Sequence, residues 1–117
     1  MMSLAGKIWG STRLLLNNPF VEFHHIKIAP NSRCSLHLHR FKNNAFFVFS
    51  GRLFIEAVKT SYALIDVTEL GPGDFMIVPP NEKHRFLTHD EACEAIEFYF
   101  PQANGEDIVR EDVGGKA

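Results

Sequence analysis

Short runs of alternating apolar and polar residues, punctuated by turn signals roughly every eight to twelve positions, most limit the fold open to this chain. Residues 20–28 alternate and are closed by Pro30, Asn31 and Ser32. Residues 33–39 alternate again, and residues 45–50 are apolar at nearly every position, which predicts a strand covered on both faces. Ser50 and Gly51 predict a tight turn, with residues 52–58 returning as the hairpin partner. Strands are expected again at 62–70, 75–78, 84–87 and 95–100, with turns at Gly71-Pro72-Gly73-Asp74 and at 88–91. The run Leu14-Leu15-Leu16, before Asn17-Asn18-Pro19, fits either a strand or a helical turn. No segment shows a long helical period. The expected fold class is all-β, a small antiparallel sandwich or barrel.

A chain of 117 residues makes one domain. Its core is expected at about 20–100, with 101–117 as a glycine-bearing tail that either docks or frays. Eleven phenylalanines suit packing between two sheets and leave some for a subunit interface. A net charge of −2 without a basic stripe argues against nucleic acid as a partner. The apolar runs are too short to span a membrane, and Lys7, Gly10 and Arg13 interrupt the start of the chain, so no signal peptide is read there. Cys34 and Cys93 follow no metal or redox spacing and are expected as reduced thiols, with the cytoplasm as the address.

The chemistry concentrates in residues 35–51. His37 and His39 sit two apart on an alternating run, so a strand presents both imidazoles on one face and Leu36 and Leu38 on the other. Two histidines aimed at one point make half of a metal site, and His84, after Pro79-Pro80-Asn81, is the candidate third donor. Asn44 offers an amide oxygen as a weak fourth donor or a support for the others. One divalent transition metal (Zn, Mn, Fe, Co or Ni) is the cofactor implied. Three neutral imidazoles leave its charge uncompensated, which acidifies bound water and favours an anionic small molecule.

Other polar residues admit two readings. Glu97 and Tyr99 share one face of the last strand; facing a cavity they are a base and an acid, and facing solvent they are ordinary surface residues. His24 and His25 point to opposite faces, so at most one reaches a cavity, while His89 falls in a polar turn. Arg40, Lys42 and Lys83 flank the expected mouth, either as attractors of a phosphate or carboxylate or as plain loop charges.

These residues resemble the cupin superfamily. Asn31, His37, His39, Asn44 and Gly51 fall on its first motif, and Gly73, Pro79, Asn81 and His84 on its second, with Asn for Gly at the turn. The resemblance implies a jelly roll, or double-stranded β-helix, with the metal inside, and dimers through an outer sheet. Within that superfamily the chain looks most like the C-terminal cupin domain of type II mannose-6-phosphate isomerases. The likeness is carried by Lys7-Ile8-Trp9-Gly10, by residues 46–51, and by Gly105-Glu106-Asp107-Ile108-Val109-Arg110-Glu111-Asp112. By resemblance the ligands would be His39, His84, a Glu where Asn44 stands and a Gln where His37 stands. One carboxylate is thus replaced and one histidine gained.

The function expected is that of a metal-binding, isomerase-like cupin, a homodimer acting on a small sugar phosphate or related carbohydrate. His37, His39 and His84 are its ligands, and Arg110, Arg40 and Lys83 its contacts to an anionic substrate. Two alternatives stand beside it: an oxygen-using cupin with a three-histidine non-haem iron site, and a non-catalytic module that binds a small ligand.

Overall fold

The computed structural model describes residues 4–59, 64–101 and 108–116, and those residues form strands and connections without a helix. No helix among them is long and apolar enough to cross a membrane. Thirteen strands follow in order: β1 (Leu4–Lys7), β2 (Gly10–Asn17), β3 (Glu22–Ile28), β4 (Ser32–Arg33), β5 (His37–Leu38), β6 (Asn43–Ser50), β7 (Leu53–Lys59), β8 (Leu64–Leu70), β9 (Phe75–Val78), β10 (Lys83–Leu87), β11 (Cys93–Phe100), β12 (Val109–Arg110) and β13 (Gly115–Lys116). Every pairing is antiparallel, in two sheets. One has six strands in the order β1-β2-β3-β11-β6-β9. The other centres on β10, with β7 and then β8 on one side and β4 and β5 on the other. Beyond β5 and β4 lie β12 and β13 respectively.

The two inner faces supply the core. Ile26, Ile28, Phe46, Val48, Leu53, Ile55 and Val78 are all fully buried there. Removing such side chains from water stabilises the fold by about 1.5–3 kcal/mol each. Trp9 closes one end, edge-on to Phe86 at 4.8 Å. The leucine run at 14–16 lies within β2, which is bonded on both edges, to β1 and to β3.

Three local expectations change. Residues 45–50 and 52–58 are not hairpin partners: β6 pairs with β11 and β9, whereas β7 belongs to the other sheet. Gly51 is therefore a corner between sheets. Its φ is +78°, and a Cβ there would lie 2.0 Å from the Ala92 carbonyl oxygen, so only glycine lets the chain cross. Nor is β6 covered on both faces along its length. Asn44, Phe46 and Val48 point inward and are fully buried, while Phe49 on the other face is half exposed. The histidine-bearing strand is broken into β4 and β5. The strand expected at 62–70 is seen as β8 from Leu64, with 62 and 63 outside the described residues.

The described part of the tail docks. β12 and β13 run antiparallel to β5 and β4, and the Glu111 N–H donates to the Leu36 carbonyl at 2.8 Å. Asp112 accepts from the Leu36 N–H at 2.7 Å and from Arg85 at 2.5 Å. A side chain at Gly114 would lie 2.3 Å from the Cys34 main chain, which keeps this approach close.

Candidate metal centre

The seven-stranded sheet places His37 and His84 directly opposite one another on β5 and β10, with Ala57 of β7 beyond His84 and Arg110 of β12 beyond His37. His39 follows just past the end of β5, where the Asn81 N–H holds its carbonyl at 2.7 Å. Asn81 and Asn31 both adopt left-handed backbone, φ 66° and 52°, as asparagine readily does where a turn needs it. The three imidazoles converge: one nitrogen from each lies within 4.8 Å of the others, and all three residues are buried.

The outer nitrogens are pinned by main-chain carbonyls. His37 Nδ1 donates to the Ser35 carbonyl at 2.7 Å and His84 Nδ1 to the Glu82 carbonyl at 2.9 Å. A carbonyl only accepts, so each neutral ring keeps its lone pair on Nε2. His37 Nε2 is buried with no hydrogen-bond partner. His84 Nε2 faces Asn44 Oδ1 at 2.8 Å, two acceptors with no proton between them. Burial, then the neighbouring His84 and His39, pushes His37 down to about 3, and burial pushes His84 down to about 4. Both are neutral donors at pH 7. An orphaned buried lone pair and two opposed acceptors are what a shared cation relieves, so the residues fit a divalent metal.

The six-stranded sheet forms the facing wall. Asn44 donates through Nδ2 to Glu97 Oε2 at 3.2 Å, and the Tyr99 hydroxyl also bonds Glu97. Burial raises the Glu97 carboxyl above its ordinary value, and burial with the adjacent Glu97 raises Tyr99 well above its own. Both residues line a cavity of about 380 Å³ together with His37 and His39. Of the two readings open for them, the face lines the cavity rather than solvent.

The cations divide differently from their sequence order. Arg110 lines the cavity, and so does Lys42, which is buried with its ammonium 5.6 Å from the centre of the Tyr99 ring. Arg40 is exposed and off the cavity wall, and Lys83, also off it, is ion-paired with Glu111. His24 reaches the cavity, while His25 on the opposite face bonds Glu94 at 2.9 Å. The sequence signal for His24 is its parity with Ile26 and Ile28 on β3. Cys34 and Cys93 are free and buried; burial raises both thiols, Cys93 to about 12.

A family model described as a cupin domain matches residues 24–99. No curated protein matches the chain in sequence. Among solved structures, the chain is similar to oxalate decarboxylase from Bacillus subtilis, with TM-score 0.82 and 13% identity over 94% of this chain and 30% of that one. A second structure of that enzyme, described by its Mn(II) centres, gives TM-score 0.80 and 11% identity over 94% and 30%. CapF with the inhibitor 3-isopropenyl-tropolone gives TM-score 0.83 and 16% identity over 97% and 34%. The chain thus spans about a third of the length of these structures, and at such identities the likeness is one of fold.

Proposed function

This chain belongs to the cupin family, and we propose that it is a metal-dependent cupin acting on a small anionic ligand, with His37, His39 and His84 holding one divalent transition metal and Asn44 as a weak fourth donor. The supporting observation is the buried Nε2 of His37, left without a partner where three imidazoles meet. When bound, the ion would supply Lewis acidity undiminished by any carboxylate ligand. The rest falls to the chain. Lys42 and Arg110 bring positive charge to the cavity wall, and about 380 Å³ is room for a monosaccharide-sized molecule.

The reaction we infer is isomerisation or epimerisation of a sugar phosphate, like that of the mannose-6-phosphate isomerases the sequence resembles. The protein would act in the cytoplasm, in keeping with two unpaired thiols, and as a homodimer. Phe49, Phe75 and Ile77, all outward on the six-stranded sheet and about half exposed, would form its contact.

Metal content of the purified protein and of His37→Ala, by mass spectrometry, tests the centre. About one ion per chain, lost in the variant, is expected; no ion after reloading defeats the proposal. Zinc, manganese, cobalt or nickel then leads to a hexose-phosphate assay, and iron to oxygen uptake. Binding without turnover is the second reading, supported by an Asn44 amide whose Nδ2 is already given to Glu97. Turnover by the wild-type protein would exclude it, and turnover appearing only in Asn44→Glu would mark a decayed isomerase.

A further inference from the structure

A second polar cluster lies on the six-stranded sheet, outside the metal centre. His24 Nε2 is 2.5 Å from Glu22 Oε2, and its Nδ1 is 3.3 Å from Thr12 Oγ1. All three residues line the cavity. A carboxylate only accepts, so Nε2 carries the ring proton and Nδ1 keeps its lone pair. The one hydrogen bond described at Nδ1 is long, and its donor is a hydroxyl that can turn away. Glu97 is placed otherwise. It is buried, with its carboxyl held by the Asn44 amide and the Tyr99 hydroxyl, so it could serve a ligand only by breaking those bonds.

The cluster is close to the imidazoles of the other sheet. The Tyr99 ring stands edge-on to both, its centre 5.9 Å from His24 and 4.9 Å from His39. A ligand of a few carbons in the cavity can touch both walls.

We propose that Glu22 and His24 form a proton-transfer dyad for a hydroxy-carbonyl ligand, with Nδ1 of His24 as the atom that takes the proton. The proposal rests on the sugar-phosphate reading above and assigns its base. The C–H bond beside the carbonyl breaks, an N–H bond forms at Nδ1, and the electron pair moves to the carbonyl oxygen. The proton of the neighbouring hydroxyl passes to that oxygen, and Nδ1 returns its own proton to the former carbonyl carbon. Aldose and ketose thereby interconvert with no net change in atoms or electrons. Lys42 and Arg110 bring compensating positive charge to the cavity that holds the enediolate. Glu22 is a positioning residue: it fixes the tautomer and offsets the imidazolium charge.

Two measurements decide it. In metal-free protein, long-range ¹⁵N–¹H correlation should show His24 as the Nε2–H tautomer, altered in Glu22→Gln; an Nδ1–H tautomer overturns the dyad. Zinc-loaded protein of measured metal content is then incubated in D2O with fructose 6-phosphate and with mannose 6-phosphate, against a protein-free control. Deuterium should enter the carbon beside the carbonyl. His24→Gln should slow entry by about 10²–10⁴-fold at unchanged metal content, and Glu22→Gln by about 10–100-fold. Unchanged exchange in His24→Gln overturns the proposal, as does no exchange in fully loaded wild type. A wild type that takes up no zinc defeats the metal centre instead, and the tautomer then decides the dyad alone.

Discussion

The two faces of β11 meet environments opposite to their chemistry. Inward, Glu97 and Tyr99 line the cavity that holds the imidazoles; outward, Phe98 is tilted against Phe23 at 4.9 Å and stacked on Phe75 at 5.7 Å. An antiparallel sheet with one wet face ordinarily buries its apolar side chains and exposes its polar ones. Burying a carboxyl costs free energy unless hydrogen bonds offset it, and exposed aromatic area gains nothing from water. On the function proposed above, each inversion would have its own cause: a ligand on the inner side, a second surface on the outer.

One residue type placed on both faces gives the sharpest contrast. Phe46 is fully buried, so Phe46→Ala should cost about 3–5 kcal/mol in denaturant unfolding. A cost near that of a surface change would dissolve the contrast. Next in size, His84→Ala should weaken zinc binding by more than the ~10–100-fold of an outer-shell change, read by metal titration of folded protein. Retained affinity would separate the inner-face polarity from the metal.

A smaller effect should follow from Glu97. Its folded-state pKa is raised, chiefly by burial, so the folded protein keeps a proton that the unfolded chain releases near 4.5. The Glu97 contribution to stability of the metal-free protein should accordingly fall as pH rises from about 4.5 toward the folded value. It works against the rise that His37 and His84, held down at about 3 and about 4 in the fold, give up to about 6.5, so Glu97→Gln should steepen the net rise. A Glu97→Gln midpoint that climbs no more steeply than that of the wild type over this range would contradict the burial. Smallest in unfolding energy, Phe75→Ser should shift the monomer by no more than about 0.5 kcal/mol. The same change should lower the mass seen by light scattering to that of a monomer. An unchanged mass would leave the outer aromatics without their second surface.

The strand pattern and the three histidines were legible because both rest on period two. His37 and His39 share a face on any strand, and the Pro-Pro-Asn turn before His84 marks where a third ligand enters. Periodicity could not say which sheet a strand joins, so Gly51 read as a hairpin turn rather than a corner. It gave the Glu97 and Tyr99 face without saying what lies across from it. Nor does it fix where a loop side chain turns. Arg40, Lys42 and Lys83 look equivalent in sequence, yet only Lys42 folds under Tyr99 onto the cavity wall. The partners of His24 come from β2 and β3, and β2 was the strand the leucine run left undecided.

The docked arm of β12 and β13 also bears on the order of events in the cell. Translation delivers His37 and His39 well before residues 108–114, which contribute Ile108, Arg110, Val113 and Gly114 to the same cavity. An ion can reach the imidazoles while that side stands open and be enclosed when the arm settles beside them. The escape of an ion held as proposed would then depend on how frequently the arm peels from β4 and β5, a kinetic quantity separate from the strength of the bonds that hold it.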